Sequence, residues 1–204
     1  MTRPTTVLLA LGLINGVLHA QTPISGQALG VSVRTPATNF QTGQVTLPSG
    51  GGFVAADADA LSASEVSVDA LTTMTSGATD STASTAQSTA HLENVNVLNG
   101  VITAETVIAA TSSWVSGAAG RNALGSTFTN LAVNGVPVAI GDYLPAPNTY
   151  VPLPGVGYAV LNEQIASGAS GITVNMIHVV LQDALTGLKT GEIIVASASS
   201  AVGT

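Results

Sequence analysis

The feature that most constrains the fold is the dipeptide Asn134 and Gly135, which joins two short apolar runs at residues 131–133 and 136–138. Both central residues of a type I′ turn need a positive φ, and Asn followed by Gly meets that requirement at the lowest steric cost. The pattern therefore predicts a β-hairpin. Its register predicts three opposite pairs whose side chains share one buried face: Val133 with Val136, Leu131 with Val138, and Thr129 with Ile140.

The same register predicts an opposite face and a sheet edge. The opposite face would carry Phe128, Asn130, Ala132, Pro137 and Ala139. Proline has no backbone N–H, and in this register the missing donor of Pro137 would point away from the hairpin. Because proline within sheets is confined mainly to such outward positions, we expect the hairpin to lie at an edge.

A second turn signal, Asn99 followed by Gly100, stands between two alternating segments and also predicts a type I′ hairpin. The predicted pairs are again apolar with apolar: Val97 with Ile102, and Val95 with Ala104.

Short alternating segments separated by Gly and Pro recur along the chain, and none has helical periodicity. They stand at residues 29–33, 44–47, 92–97, 101–104, 156–162, 172–181 and 192–197. We therefore predict an all-β fold, an antiparallel β-sandwich of jelly-roll type. A parallel β-helix is the alternative, although no repeat of fixed period supports it.

The chain divides into three predicted parts. Residues 1–20 have the features of a signal peptide: a basic residue, Arg3, then the apolar run 7–18, and a small residue, Ala20, before the expected cleavage site. Residues 21–37 would form an N-terminal strand, and residues 38–204 the β-sandwich domain. Within that domain, residues 74–90 are Ser, Thr, Ala and Gly with almost no apolar bulk, which favours a surface loop over a small-residue strand exposed on one face.

Composition narrows the class of function. Only 7% of the residues are charged, and the net charge is −7, which argues against nucleic acid as a partner because phosphate binding requires clustered Lys and Arg. The chain has no cysteine, so it has neither disulfides nor thiol chemistry. The apolar run 7–18 is too short to span a membrane, and no apolar run of spanning length follows it. Because residues 1–20 have the features of a signal peptide, we expect an extracellular or cell-surface location.

Residues with catalytic or metal-binding chemistry are sparse. His178 follows Ile172, Val174 and Met176 in alternation, which predicts a core or interface histidine rather than a ligand. No Gly-x-Ser-x-Gly motif exposes a serine nucleophile. The sequence therefore predicts no enzymatic activity, no cofactor and no metal ion.

Two groups of carboxylates are candidates for a site. Asp57, Asp59, Glu65 and Asp69 could offer oxygen ligands to Ca²⁺, but no calcium-loop motif is present and a solvated acidic face is the favoured interpretation. The second group could in principle supply a glycosidase pair, but it has no sugar-stacking aromatic residues beside it in sequence. It consists of Glu93, Glu105 and Glu163. The aromatic residues Trp114, Tyr143, Tyr150 and Tyr158 are too scattered in sequence to predict a carbohydrate platform.

The order of several segments resembles the choice-of-anchor P family of exported bacterial proteins. The matching segments are NVNVLNGVITA at residues 94–104, NGVPV at 134–138, PGVGY at 154–158, NEQ at 162–164 and TVNMIHV at 173–179. The resemblance extends over residues 28–198. It implies an extracellular, cell-associated β-rich protein of unassigned activity. Members usually carry a C-terminal anchor, and because this chain shows none we do not expect direct covalent or membrane attachment.

These observations favour a structural function. We predict a self-assembling filament or surface-layer subunit, a homopolymer in which copies are joined by β-strand addition. The predicted donated strand is residues 27–34, with Leu29, Val31 and Val33 as the inserted side chains; pairing of this strand within its own domain is the alternative. A cell-surface adhesin or a module that binds glycans or matrix is the alternative function.

Overall fold

A computed structural model describes residues 22–203, so the predicted signal peptide, residues 1–20, lies outside the described residues. The described part of the chain forms eighteen β-strands and contains no helix. The strands are β1 (Ile24–Arg34), β2 (Asn39–Thr42), β3 (Val45–Thr46), β4 (Gly52–Ala58), β5 (Leu61–Ser62), β6 (Val66–Val68), β7 (Ala70–Thr79), β8 (Ser84–Val97), β9 (Ile102–Ser116), β10 (Ala118–Asn122), β11 (Thr127–Thr129), β12 (Ala132–Val133), β13 (Val136–Pro137), β14 (Asp142–Tyr143), β15 (Thr149–Leu153), β16 (Gly157–Ser167), β17 (Gly171–Gln182) and β18 (Lys189–Val202).

The strands form two antiparallel sheets that pack face to face. The first sheet has the order β15-β16-β17-β18-β1-β2, with β3 also paired to β1. In the second sheet β8 and β9 are central. The strands β6 and β7 flank β8, and β10, β11 and β12 flank β9. The edge strands, each paired with one strand only, are β4, β5, β10, β13 and β14. Nine of the seventeen pairs of consecutive strands are hydrogen-bonded neighbours. The predicted antiparallel β-sandwich is confirmed, and no strand pair in residues 22–203 is parallel, as a β-helix would require.

The core lies between β1, β17 and β18 of the first sheet and β7, β8 and β9 of the second. Most of its side chains are Val, Leu, Ile and Ala, and the one buried Phe is Phe128. Towards one end, hydroxyl groups replace apolar side chains: Ser113 and Ser200 hydrogen-bond across the two sheets at 2.8 Å. The small core residues explain how the sandwich closes with an aromatic content of only 3%.

Side-chain alternation changes phase along a line that crosses the second sheet. Asn94 of β8 lies beside Glu105 of β9, which lies beside Asn130 between β11 and β12. Asn94 and Asn130 have left-handed backbone conformations, with φ of 50° and 52°. Their amide groups donate hydrogen bonds to neighbouring carboxylates, Asn94 to Asp69 at 2.8 Å and Asn130 to Glu105. We call this line of residues the crease.

The first sheet has a similar line of residues, and we use the word crease for both lines. Asn162 of β16, Met176 of β17, Ala196 of β18 and Gly30 of β1 lie side by side in the register. Asn162 and Ala196 have φ of 49° and 53°. A left-handed residue within a strand rotates the chain so that the residues beyond it face the opposite way from strict alternation.

The phase change is clearest on β17, although this strand itself has no residue of positive φ at the crease. The core residues of this strand are Ile172, Val174 and Met176 on one side of the crease, and Ile177 and Val179 on the other. The core face is therefore kept along the whole strand, although the spacing of its residues changes from two to one at the crease.

The Asn134 and Gly135 turn is confirmed, since both residues have positive φ, 51° and 73°, and Val133 pairs with Val136. The predicted register continues through the pair of Ala132 with Pro137 and the hydrogen bond from the Val138 N–H to Leu131, and it is wrong beyond that point. The backbone N–H groups of residues 138 and 139 both donate to the carbonyl oxygen of Leu131, which makes a bulge. Thr129 consequently pairs with Asp142 instead of Ile140.

The predicted buried face is correct for Val133 and Leu131 and wrong for the residues opposite them. Val136 and Ile140 are 64% and 89% exposed, and Phe128, which the register assigned to the opposite face, is fully buried. The crease at Asn130 accounts for Phe128, because it shifts the phase between Phe128 and Leu131. The second hairpin is confirmed: Asn99 and Gly100 have positive φ, and the predicted pairs of residues 97 with 102 and 95 with 104 are present.

Residues 74–90, predicted as a loop, are mostly strand. They form the end of β7, a turn at residues 80–83, and the start of β8. The small-residue strand was therefore the correct alternative. Its inward side chains are held by hydroxyl contacts rather than by apolar bulk: Thr75 and Ser88 lie 2.9 Å apart, and Thr79 and Ser84 lie 2.6 Å apart.

Candidate functional site

The strand predicted to be donated to another copy lies inside its own sheet. β1 pairs with β18 from residue 24 to residue 34, and its other side pairs with β2 and β3. Val31 and Val33 are fully buried in the core of the same chain, and Leu29 is partly buried. The intramolecular alternative is therefore the observed one, and donation of residues 27–34 is not retained.

The predicted edge at Pro137 is present. β13 is the outermost strand of its sheet and pairs with β12. From this edge to residue 144, exposed apolar side chains form what we call the apolar ribbon. Its members are Val136, Val138, Ile140 and Leu144. Because β13 is two residues long and contains Pro137, its backbone is poorly suited to accept another strand.

A longer edge is formed by β4, which sequence analysis did not single out. β4 contains seven residues and pairs with β7; the described residues supply no strand on its other side. Its sequence, GFVAADA, has no proline and no basic residue, and its one charge is Asp57. Phe53 at its start is 67% exposed, although large aromatic side chains are usually buried.

The other edge strands of the described chain carry features that oppose strand addition. β15 contains Pro152, β10 contains Arg121, and β2 and β3 are four and two residues long. Short strands, prolines and basic side chains are the usual protections of an exposed edge. β4 is thus the longest edge and the one without these protections.

A second candidate site is a polar cluster around His178, on the outer face of the first sheet. The expectation that His178 shares the core face of Met176 is wrong, because the crease between these two residues changes the phase. His178 Nδ1 lies 3.0 Å from Glu163 Oε2, and His178 Nε2 lies 3.8 Å from Glu192 Oε2. About a fifth of each of these side chains is exposed. We call these three residues and their partners the His178 cluster.

Further contacts extend the His178 cluster over four strands. Asn175 Nδ2 donates to Glu163 Oε2 at 2.6 Å, and Ser197 Oγ donates to Asn175 Oδ1 at 2.6 Å. Glu192 also pairs with Arg34 at 3.3 Å and with Lys189. The cluster therefore joins β16, β17, β18 and β1.

The contacts of the His178 cluster shift the pKa of its carboxyl groups. The hydrogen bond from His178 is the largest cause that lowers the pKa of Glu163 below its ordinary value. The hydrogen bond from Lys189 is the largest cause that lowers the pKa of Glu192. Among the residues that the structure describes, the buried Nε2 of His178 has no hydrogen-bond partner. The arrangement stabilises the charged carboxylates and holds neighbouring strands together.

The acidic residues considered as a calcium site do not converge. Glu65 accepts hydrogen bonds from Ser64, Thr38 and Thr35, and the Ser64 hydroxyl is the largest cause that lowers its pKa. Asp69 accepts from Asn94. Within residues 22–203 no three His, Asp or Glu side chains are placed so that they could hold a metal ion.

The three glutamates that could supply a glycosidase pair do not lie close together either. Glu93 and Glu105 lie in the second sheet, whereas Glu163 lies in the first. Two of the aromatic residues do meet, however. The rings of Tyr150 and Tyr158 are 5.0 Å apart between centroids, on the outer face of the first sheet beside the His178 cluster. Neither spacing nor periodicity predicted this pair, because β15 and β16 bring it together across a turn.

Comparison with known proteins gives one match. A family model described as a domain of unknown function (DUF8256) matches residues 22–144, which include β1 to β14. No curated protein and no solved structure is significantly similar to the chain. The β4 edge lies within the matched residues, whereas the His178 cluster, except Arg34, lies beyond them. No helix in residues 22–203 is long and apolar enough to cross a membrane.

Proposed function

Since the chain belongs to the family described as a domain of unknown function (DUF8256), and that family's region contains the open β4 edge, we propose that it is a structural protein. In this proposal the protein is exported and joins other copies of itself at its sheet edges, as a filament or surface-layer subunit. It is not an enzyme, and it needs no cofactor.

The observation that carries the proposal is the unprotected edge of β4. An exposed strand edge offers a row of unpaired N–H and C=O groups, which is a template for pairing with another chain. β4 offers such an edge over seven residues, with Phe53 largely exposed beside it. Soluble proteins usually protect an edge of this kind, so an edge left open is best explained by a partner strand.

Two features of the sequence support an extracellular structural role. Residues 1–20 have the features of a signal peptide, which is the basis for proposing export. With 7% charged residues and no cysteine, the chain would depend on backbone hydrogen bonds and close packing for its assembly. The resemblance to the choice-of-anchor P family supports the same location.

Electron microscopy of the full chain secreted by an expressing bacterium tests this function. We expect ordered fibres or sheets in the extracellular fraction, built from a chain whose N-terminal sequence starts near residue 21. A protein that stays monomeric at every concentration and salt condition tried would contradict the proposal.

A second function is supported by the Tyr150 and Tyr158 pair. Aromatic faces beside hydrogen-bonding groups can bind a small ligand with several hydroxyl groups, and His178 of the His178 cluster lies diagonally across from Tyr158 in the register. The protein would then be a glycan-binding module of the cell surface.

Binding to a panel of surface glycans separates this alternative from the structural function. Under the glycan-binding alternative Tyr158→Ala abolishes binding, whereas Tyr143→Ala, which alters a half-exposed tyrosine in the other sheet, leaves it unchanged. If the wild-type protein binds no glycan on the panel, this alternative is rejected.

A further inference from the structure

We propose that β4 pairs with β4 of a second copy in antiparallel orientation, about a two-fold axis that passes between the two Ala55 residues. This inference rests on the proposed function, because it identifies the partner strand of the edge that carries that function. The two second sheets would join into one continuous sheet through backbone hydrogen bonds.

Symmetry makes a second copy of β4 a suitable partner. Pairing about a two-fold axis normal to the sheet uses the same strand on both copies, so one open edge satisfies the other. The axis also keeps the exposed faces of the two sheets on the same side. Neither copy has to unfold a strand to make the contact, unlike the donation of β1.

The register follows from length and charge. Placing Ala55 opposite Ala55 pairs all seven residues of β4, and every shifted register pairs fewer. It sets Phe53 of one copy opposite Asp57 of the other, so the two Asp57 carboxylates are not neighbours. A shift that placed Asp57 opposite Asp57 would set like charges directly across the contact, which is destabilising.

The face of β4 that is directed to the core is also compatible with this register. Val54 and Ala56 alternate with the exposed residues and are partly buried. In the proposed register Val54 of one copy lies opposite Ala56 of the other. The contact therefore adds apolar neighbours on the core side and leaves no charge there.

A two-fold contact closes on itself and produces a dimer, so growth beyond the dimer requires a second contact. The apolar ribbon at residues 136–144 is the exposed apolar surface at the opposite edge of the same sheet. Alternation of the two contacts would build a filament from dimers.

Single cysteine variants of the full chain test the register, because the wild-type sequence has no cysteine. In the proposed register Ala55→Cys places two Cα atoms directly opposite each other, about 4.5–5.5 Å apart, within the range that a disulfide spans. Phe53→Cys is offset from its own copy by four residues, about 13 Å, and cannot form a disulfide with itself.

We expect Ala55→Cys to oxidise to a disulfide dimer at least tenfold faster than Leu185→Cys, a loop control that is 96% exposed. Phe53→Cys alone should form no more dimer than that control, whereas a mixture of Phe53→Cys and Asp57→Cys should form the mixed dimer. Electron micrographs of the same variants before oxidation report assembly independently. If the micrographs show assemblies but Ala55→Cys does not crosslink faster than the control, this register is wrong and the proposed function still stands. If neither assemblies nor fast crosslinking are observed, both the register and the proposed function are wrong.

Discussion

His178 lies against Glu163 on the outer face of the first sheet, with 3.0 Å between Nδ1 and Oε2, although simple alternation places His178 on the core face with Met176. The crease between residues 176 and 177 turns the histidine outwards. The carboxylates of Glu163 and Glu192 are thereby brought to its two ring nitrogens, and four strands are linked through one side-chain cluster.

The His178 cluster predicts a pH dependence of stability. The pKa values of Glu163 and Glu192 are lowered in the folded protein from their ordinary value of 4.5. A lowered folded-state pKa contributes stability that is present above the unfolded value and is lost as pH falls through the folded value. The free energy of unfolding should therefore decrease as the pH is lowered below about 4.5.

Urea unfolding of the wild type and of Glu163→Gln checks this pH dependence. At neutral pH we expect Glu163→Gln to be less stable, because its amide cannot accept the charge-assisted hydrogen bond. The difference should shrink as the pH falls through the lowered folded-state pKa of Glu163, where the wild-type carboxylate also becomes protonated. A difference that stays constant over this range would show that the Glu163 charge does not stabilise the fold.

The crease of the second sheet predicts an unusual effect of glycine substitution on stability. Asn94 has a φ of 50°, so Asn94→Gly should be more stable than Asn94→Ala by about 1 kcal/mol, because only the alanine resists the left-handed conformation. Both variants lose the hydrogen bond to Asp69, so the comparison isolates the backbone. At Asn96, two residues away in β8 and without a positive φ, the order should be reversed. Thermal unfolding of the four variants measures both differences, and the same order at the two positions would contradict the crease.

The turn at Asn134 and Gly135 predicts a cost for a β-branched residue. Gly135 has a φ of 73° and open space around it, so Gly135→Val should cost about 1–3 kcal/mol through backbone strain alone. Gly50→Val is the control, since Gly50 also has open space but no positive φ. Denaturant unfolding should show the loss in the first variant and little change in the second. Equal stabilities would mean that the turn is not type I′.

Much of the fold could be predicted from local chemistry, because turns are specified by a few residues. Asn134 with Gly135 and Asn99 with Gly100 located two hairpins, and alternation located most long strands. The creases could not be predicted. An asparagine such as Asn94 normally indicates a turn rather than a strand interior, and only the alignment of several such residues across a sheet reveals the phase change.

The candidate sites were less predictable than the fold, for two reasons. The position of His178 depended on the crease, and its partners Glu163 and Glu192 come from different strands. The β4 edge could not be predicted either, since the seven residues of β4 have weak alternation and few large side chains. An edge is a property of strand order, which the sequence of one strand does not contain.

Assembly through β4 is tested most directly by a charge placed at its centre. Light-scattering molar masses of the wild type, Ala55→Lys and Ala119→Lys should be measured over a range of concentrations. Ala119 is also exposed and lies on the edge strand β10, so it is a matched control. In the proposed pairing two lysines at residue 55 would repel each other across the axis. We expect the wild type and Ala119→Lys to form dimers and larger species, and Ala55→Lys to form nothing larger than a dimer joined at the apolar ribbon; assembly of Ala55→Lys equal to that of the wild type would contradict the account.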